Sequence, residues 1–156
     1  MSSSGGTPAA CLASDLAGRW TGVPGSHGMG NVSSDLALHN TSTHACIVDG
    51  YPAFTLHSAA GTVLPTHIRL DALPVPTLIV QPGGWVHSEL RYSTDIPGSG
   101  EPMSGPCEPL AAYTLATVAG SSGTVRAMLD VPQPICSRGQ VEAKPYASGP
   151  SSPTGG

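Results

Sequence analysis

"GGWVHSELRYS", Gly83 to Ser93, alternates in character from one residue to the next. Val86, Ser88, Leu90 and Tyr92 fall on one side of an extended chain, and Trp85, His87, Glu89 and Arg91 on the other. A period of two is what a half-buried β-strand requires. "VSSDLALHN" repeats it, with Val32, Ser34, Leu36 and Leu38 opposing Ser33, Asp35, Ala37 and His39. The first stretch follows a Gln81-Pro82-Gly83-Gly84 turn from the apolar run "TLIV", Thr77 to Val80, so these two runs are expected to form a hairpin.

Outward from there the same punctuation continues. Of 156 residues, 20 are Gly and 16 are Pro, a density that long helices do not tolerate. No helical spacing of apolar residues and no repeat of fixed period is present. Further strands are expected near Asp15–Thr21, Cys46–Val48, Ala53–His57, Val63–Leu70, Ala111–Val118, Thr124–Leu129 and Gln140–Lys144, each bounded by Gly or Pro. The fold class read from this pattern is all-β: an immunoglobulin-like antiparallel β-sandwich of about seven to nine short strands, with a closed barrel as the alternative. Residues 1–10 and 147–156 are Gly, Ser, Pro and Thr with little to bury and read as flexible tails around a single domain, 11–146. Inside it, Asn40-Thr41-Ser42-Thr43 is turn chemistry, and Asp49-Gly50-Tyr51-Pro52 is a corner.

Charge and hydropathy exclude some partners. The net charge is −4, only 10% of residues are charged, and Lys and Arg nowhere cluster, which argues against nucleic acid. No apolar stretch approaches the ~18–20 residues of a transmembrane helix. Four cysteines in a small chain poor in Lys and Glu suggest an oxidising compartment and two disulfides. Three pairings are open. Cys11 with Cys46 and Cys107 with Cys136 is favoured, because each cysteine lies beside an expected strand and sequential pairing staples each end of the chain to its own half. On the chain-entropy model a loop of about 36 residues contributes roughly 3–4 kcal/mol. The opening "MSSSGGTPAACLASDL" has neither a basic nor an apolar leader segment, so no signal peptide is read there. Nor is Cys11 of "PAAC" expected to carry a lipid. The expected location is extracellular or cell-envelope.

The order of motifs also carries a likeness. "CLASDL" at Cys11–Leu16, "LALHNTS" at Leu36–Ser42, "CIVDGYP" at Cys46–Pro52, "QPGG" at Gln81–Gly84 and the late pair Cys107 and Cys136 together resemble a secreted and lipoprotein family of actinobacteria, the domain of unknown function 4232. The Cys-x-x-x-Gly-Tyr-Pro element is its most specific part. The resemblance implies an exported β-sandwich and carries over no catalytic motif.

Chemistry is thinly signalled. His39, His44 and Cys46 would suit zinc or copper, and His27 with Met29 in "SHGMG" would suit Cu(I). Cys46 in a disulfide offers no thiolate, and the cysteine spacings are not those of a zinc finger. The metal set His27, Met29, His39 and His44 therefore stands as an alternative, with no cofactor expected. Gly-x-Ser-x-Gly is absent; Glu89 sits mid-strand, while Glu101 and Glu108 lie in Pro-rich loops, so no acid pair is singled out. No catalytic residue is assigned. The remaining feature is the Trp85, His87, Glu89 and Arg91 side of its strand, which is a binding surface if it faces out and core if Val86 does. The Asp95–Pro106 loop is a second candidate for recognition. The function expected is a non-enzymatic interaction module for a protein or cell-surface ligand. The alternatives are a copper- or zinc-handling domain and a secreted hydrolase.

Overall fold

In a computed structural model, which describes residues 8–22, 31–70, 75–118 and 123–151, the alternating stretches become strands. A 3-10 turn at Ala13–Asp15 leads into β1 (Leu16–Gly22), then β2 (Asn31–Asn40), β3 (Cys46–Asp49), β4 (Ala53–His57), β5 (Val63–Leu64), β6 (His67–Leu70), β7 (Thr77–Val80), β8 (Trp85–Ser93), β9 (Ala111–Thr117), β10 (Thr124–Gln133), β11 (Gln140–Ala143) and β12 (Ala147–Ser148). The expected strand over Val63–Leu70 divides at Pro65-Thr66. There the Thr66 hydroxyl accepts the Leu56 amide at 2.9 Å and donates to the Leu64 carbonyl at 3.1 Å, replacing ladder bonds.

The chain is all-β and disulfide-stapled, arranged as one curled sheet with a small second one. The large sheet runs β5-β4-β9-β10-β1-β2-β8-β11-β6, with β12 added on β8; β3 and β7 form the other. Two pairings, β1 with β10 and β6 with β11, are parallel, a departure from the purely antiparallel expectation. Because β1 hydrogen-bonds to β2 on one side and β10 on the other, it joins two wings that fold over a common core. Trp20 of β1 packs edge-on to Phe54 of β4 at 5.5 Å, and 5.6 Å from Tyr92 of β8. Its Nε1–H donates to the Tyr92 hydroxyl (3.2 Å), as does Gln133 Nε2 (2.9 Å), which leaves the Tyr92 proton for Ser34 Oγ at 2.8 Å. Four strands thus meet at one satisfied polar atom, and burial holds the Tyr92 hydroxyl above its usual pKa.

The expected hairpin of Thr77–Val80 with Trp85–Ser93 does not form. β7 pairs with β3, while β8 pairs with β2 along its whole length. The turn explains the separation: Gly84 N–H donates to the Gln81 carbonyl (2.8 Å), Pro82 holds the second position and Gly83 the third with φ 77°. That is a type II turn, whose twist splays flanking strands instead of pairing them. Gly83 and Gly84 are in turn held by the Asn40 backbone, N–H to carbonyl in both directions at 2.8 and 2.9 Å, so β8 enters already in register with β2.

Order extends past the expected 11–146 limits. Ala9 and Cys11 hydrogen-bond to Ile47, and Ala147–Ser148, expected as tail, pair with His87 and Val86. The disulfides are Cys11–Cys46 and Cys107–Cys136, with Cα atoms 4.7 and 5.5 Å apart. The first ties the small sheet to the start of β1; the second ties the 94–110 loop to the turn before β11. No helix among the described residues is long and apolar enough to cross a membrane.

Candidate functional site

Strand register builds a band across the outward side of the curled sheet. Val63, His57, Tyr113, Met128, Arg19, Ala37 and His87 are direct cross-strand neighbours in turn, on β5, β4, β9, β10, β1, β2 and β8. One pleat further along, Arg126 pairs with Leu115, and His39 pairs with Ala17 and with Trp85. These positions alternate with the core residues Trp20, Ala127, Leu129, Leu36 and Leu38, so they share the outer face.

Two matching clusters sit on this band. On one wing the His39 ring stacks on Trp85 (centroids 4.2 Å, 7° between planes) and the Arg19 guanidinium lies 4.4 Å from the Trp85 ring centre. On the other, His57 stacks on Tyr113 (5.0 Å, 8°) and the Arg126 guanidinium lies 3.9 Å from the Tyr113 ring centre. Each is an arginine laid on an aromatic ring that a histidine supports. Cation–π contact is worth ~0.5–1 kcal/mol at an exposed site and fixes the arginine's orientation. Both arginines are exposed, both rings half-buried. His57 is buried and its Nε2 meets Thr55 Oγ1 at 2.8 Å.

Trp85, His87, Glu89 and Arg91 lie on this outer side, with the Val86 side in the core, but their surroundings differ. Trp85 belongs to the stack. His87 is only 8% exposed, with Nδ1 3.0 Å from the Gly149 carbonyl, because β12 runs beside it. Glu89 pairs with Lys144 at 3.2 Å, and Arg91 is exposed opposite Glu142. Arg19, Tyr113 and Arg126 were not singled out from the sequence. Alternation in "AAYTLAT" and "TVRAMLD" puts Tyr113 beside Leu115 and Arg126 beside Met128; only the pairing order reveals that these sides share one face with Trp85.

The alternative metal residues do not gather among the described residues. His39 stacks on Trp85, whereas His44 is turned to Asp15, Nε2 to Oδ2 3.5 Å; His27 and Met29 lie outside the described residues. Glu101, Cys107 and Cys136 offer ligand atoms within 4.8 Å of one another, but both sulfurs are in the disulfide and are not thiolates.

Glu101 and Glu108, set apart in sequence as loop residues, do come together. Ser137, Arg138 and Gly139 take φ of 59°, 60° and 72°, three successive left-handed residues that cost ~1–2 kcal/mol for each non-glycine. The first two amides converge on a buried carboxylate: Ser137 N–H donates to Glu101 Oε1 (2.8 Å) and Arg138 N–H to Oε2 (3.0 Å), with Gly98 N–H also on Oε1 at 2.6 Å. Such a concavity of amides is an anion-binding nest. Burial raises the Glu101 pKa, but the Glu108 hydrogen bond and the three amides outweigh it, leaving the value at about 2. Glu108, sharing that hydrogen bond beside a negative neighbour, is pushed up. The pair edges a cavity of about 410 Å³ lined also by Pro102, Pro106 and Arg138. Both oxygens of Glu101 are occupied by backbone donors, so the carboxylate holds the turn and is not free as a base or nucleophile.

No curated protein and no solved structure matches the chain. The family described as Domain of unknown function (DUF4232) matches residues 11–147, nearly all of the folded part, and the chain belongs to that family.

Proposed function

We propose that the protein is a non-enzymatic binding module of an exported or cell-envelope protein, in the actinobacterial setting its family resemblance implies, engaging another protein or a surface ligand through the Arg19–Trp85–His39 and Arg126–Tyr113–His57 band. The observation that carries this is the pairing of the two arginine-on-aromatic clusters on one continuous outward face. Oriented arginines and aromatic rings are the side chains on which binding energy concentrates. Two disulfides are compatible with an oxidising location.

The test is site-specific photocrosslinking in a host that exports the protein. A benzophenone amino acid replaces Met128, 54% exposed within the band, or, as the control, Met103, 88% exposed on the 94–110 loop. A discrete adduct from position 128 and none from 103 is the expected result. No adduct from 128, or equal adducts from both, would overturn the reading.

A further inference from the structure

The band's charge resides in two arginines that no carboxylate among the described residues answers. Among the described residues the ion pairs are His44–Asp15 and Glu89–Lys144; Arg19 and Arg126 have only their rings. A guanidinium held over a ring face by its charge still has N–H groups to give, and its fork suits a two-point grip on a carboxylate. We propose, resting on the binding-module reading above, that the band's occupant is an extended acidic segment of a partner protein, with Arg19 and Arg126 each taking one carboxylate.

The surroundings select this occupant. Arg19 and Arg126 rise from neighbouring strands, but their guanidiniums lie apart, Arg19 over Trp85 of β8 on one wing and Arg126 over Tyr113 of β9 on the other. An extended peptide repeats one side about every 6.6–6.8 Å, so two of its acidic residues several positions apart can meet the two guanidiniums as it crosses the band. Met128 and Val63, 54% and 64% exposed in the same row, offer apolar contact that a polypeptide can use. A dense polyanion fits poorly, because acids occupy the adjoining row: exposed Asp130 on β10, and Glu89, itself paired with Lys144, opposite buried Asp35. Sparse carboxylates are accommodated; a continuous run of phosphates meets those acids.

The probe is an eight-residue peptide alternating Glu and Val, titrated into isotope-labelled protein and followed by backbone amide shifts, with Lys-Val and Gln-Val peptides alongside. The expected result is shifts centred on residues 17–19, 113 and 126–128 with the Glu-Val peptide alone, weakening as salt rises. The double variant R19Q/R126Q, both positions exposed and its disulfides checked by peptide mapping, is expected to bind at least about tenfold more weakly. If the Gln-Val peptide shifts the band equally, or the double variant binds Glu-Val unchanged, the acidic assignment is overturned while the binding-module reading stands. If no peptide shifts the band, this proposal fails, and an absent Met128 adduct in the crosslinking experiment then marks failure of the broader reading as well.

Discussion

Asn40 Nδ2 donates to the carbonyl of Val80 at 3.0 Å, joining the last residue of β2 to the last residue of β7 across forty positions of sequence. The same amide nitrogen donates to the His44 carbonyl (2.9 Å), and Asn40 Oδ1 accepts the Ser42 amide and hydroxyl (3.0 and 2.7 Å). With its backbone engaged by Gly83 and Gly84, Asn40 is fully buried and fixes the turn, the small sheet and the entry of β8 together. Replacing it by Ala takes the side-chain donor from the buried Val80 carbonyl and the acceptor from Ser42, so Asn40→Ala is expected to cost about 2–4 kcal/mol, measured by urea unfolding with both disulfides intact. A cost under about 0.5 kcal/mol would put it with ordinary surface changes and remove Asn40 from that role.

Tyr146 presents the opposite case. Its side chain is 2% exposed and its hydroxyl has no hydrogen-bond partner among the described residues, and burial pushes its pKa well above the usual range. An unsatisfied buried hydroxyl costs roughly 1–3 kcal/mol. Tyr146→Phe keeps the ring and removes the orphan, so it is expected to raise the unfolding free energy by about 1 kcal/mol. Destabilisation in thermal and urea melts would show that the hydroxyl has a partner.

What could be read in the sequence is what local pattern encodes. Alternation in β2 and β8 groups Val32 with Leu36 and Val86 with Leu90 and leaves open which side of β8 is core; all four are buried. Turn chemistry at Asn40 was legible, but the partner at Val80 was not, since it depends on which strands become neighbours. The same distinction explains the missed hairpin: Pro82-Gly83 signals a turn, and only its type, together with the Asn40–Gly84 bonds, shows that the chain changes sheets there. Half of the candidate site was equally hidden. Trp85 stands out as a large aromatic on a polar side, whereas Arg126 and Tyr113 look ordinary until the β9–β10–β1–β2–β8 order places them on the same outer face. The left-handed turn at Ser137 and Arg138 has no sequence signal, because it is imposed by Glu101 from 36 residues away.

That turn is held twice, by the Glu101 carboxylate and by the Cys107–Cys136 disulfide, and the two devices should not act independently. Cys107→Ala/Cys136→Ala is expected to cost roughly 2–4 kcal/mol. Glu101→Ala leaves the Ser137 and Arg138 amides without acceptors. Once either device is lost the turn can relax, so the triple variant is expected to lose less than the sum of the two, with a coupling of at least about 0.5 kcal/mol in a double-mutant cycle. Additive losses in urea melts would mean that the carboxylate and the disulfide stabilise separate regions.

The Glu101–Glu108 pair also gives stability a pH dependence with a definite sign on each side. Glu101 has its folded pKa lowered from 4.5 to about 2, so its contribution is complete above 4.5 and is lost as pH falls toward about 2. Glu108 is raised; its contribution is complete below 4.5 and is lost as pH rises through the folded value, because a deprotonated Glu108 can no longer donate to Glu101 and repels it. The two limbs place the strongest clamp at mildly acid pH, weakening in both directions. Glu108→Gln supplies an amide donor at every pH, so it should flatten the upper limb and leave the acid limb in place. Urea unfolding of the two proteins from about pH 3 to about pH 7 measures this. Parallel curves for wild type and Glu108→Gln over the upper limb would exclude a proton shared between the two carboxyls.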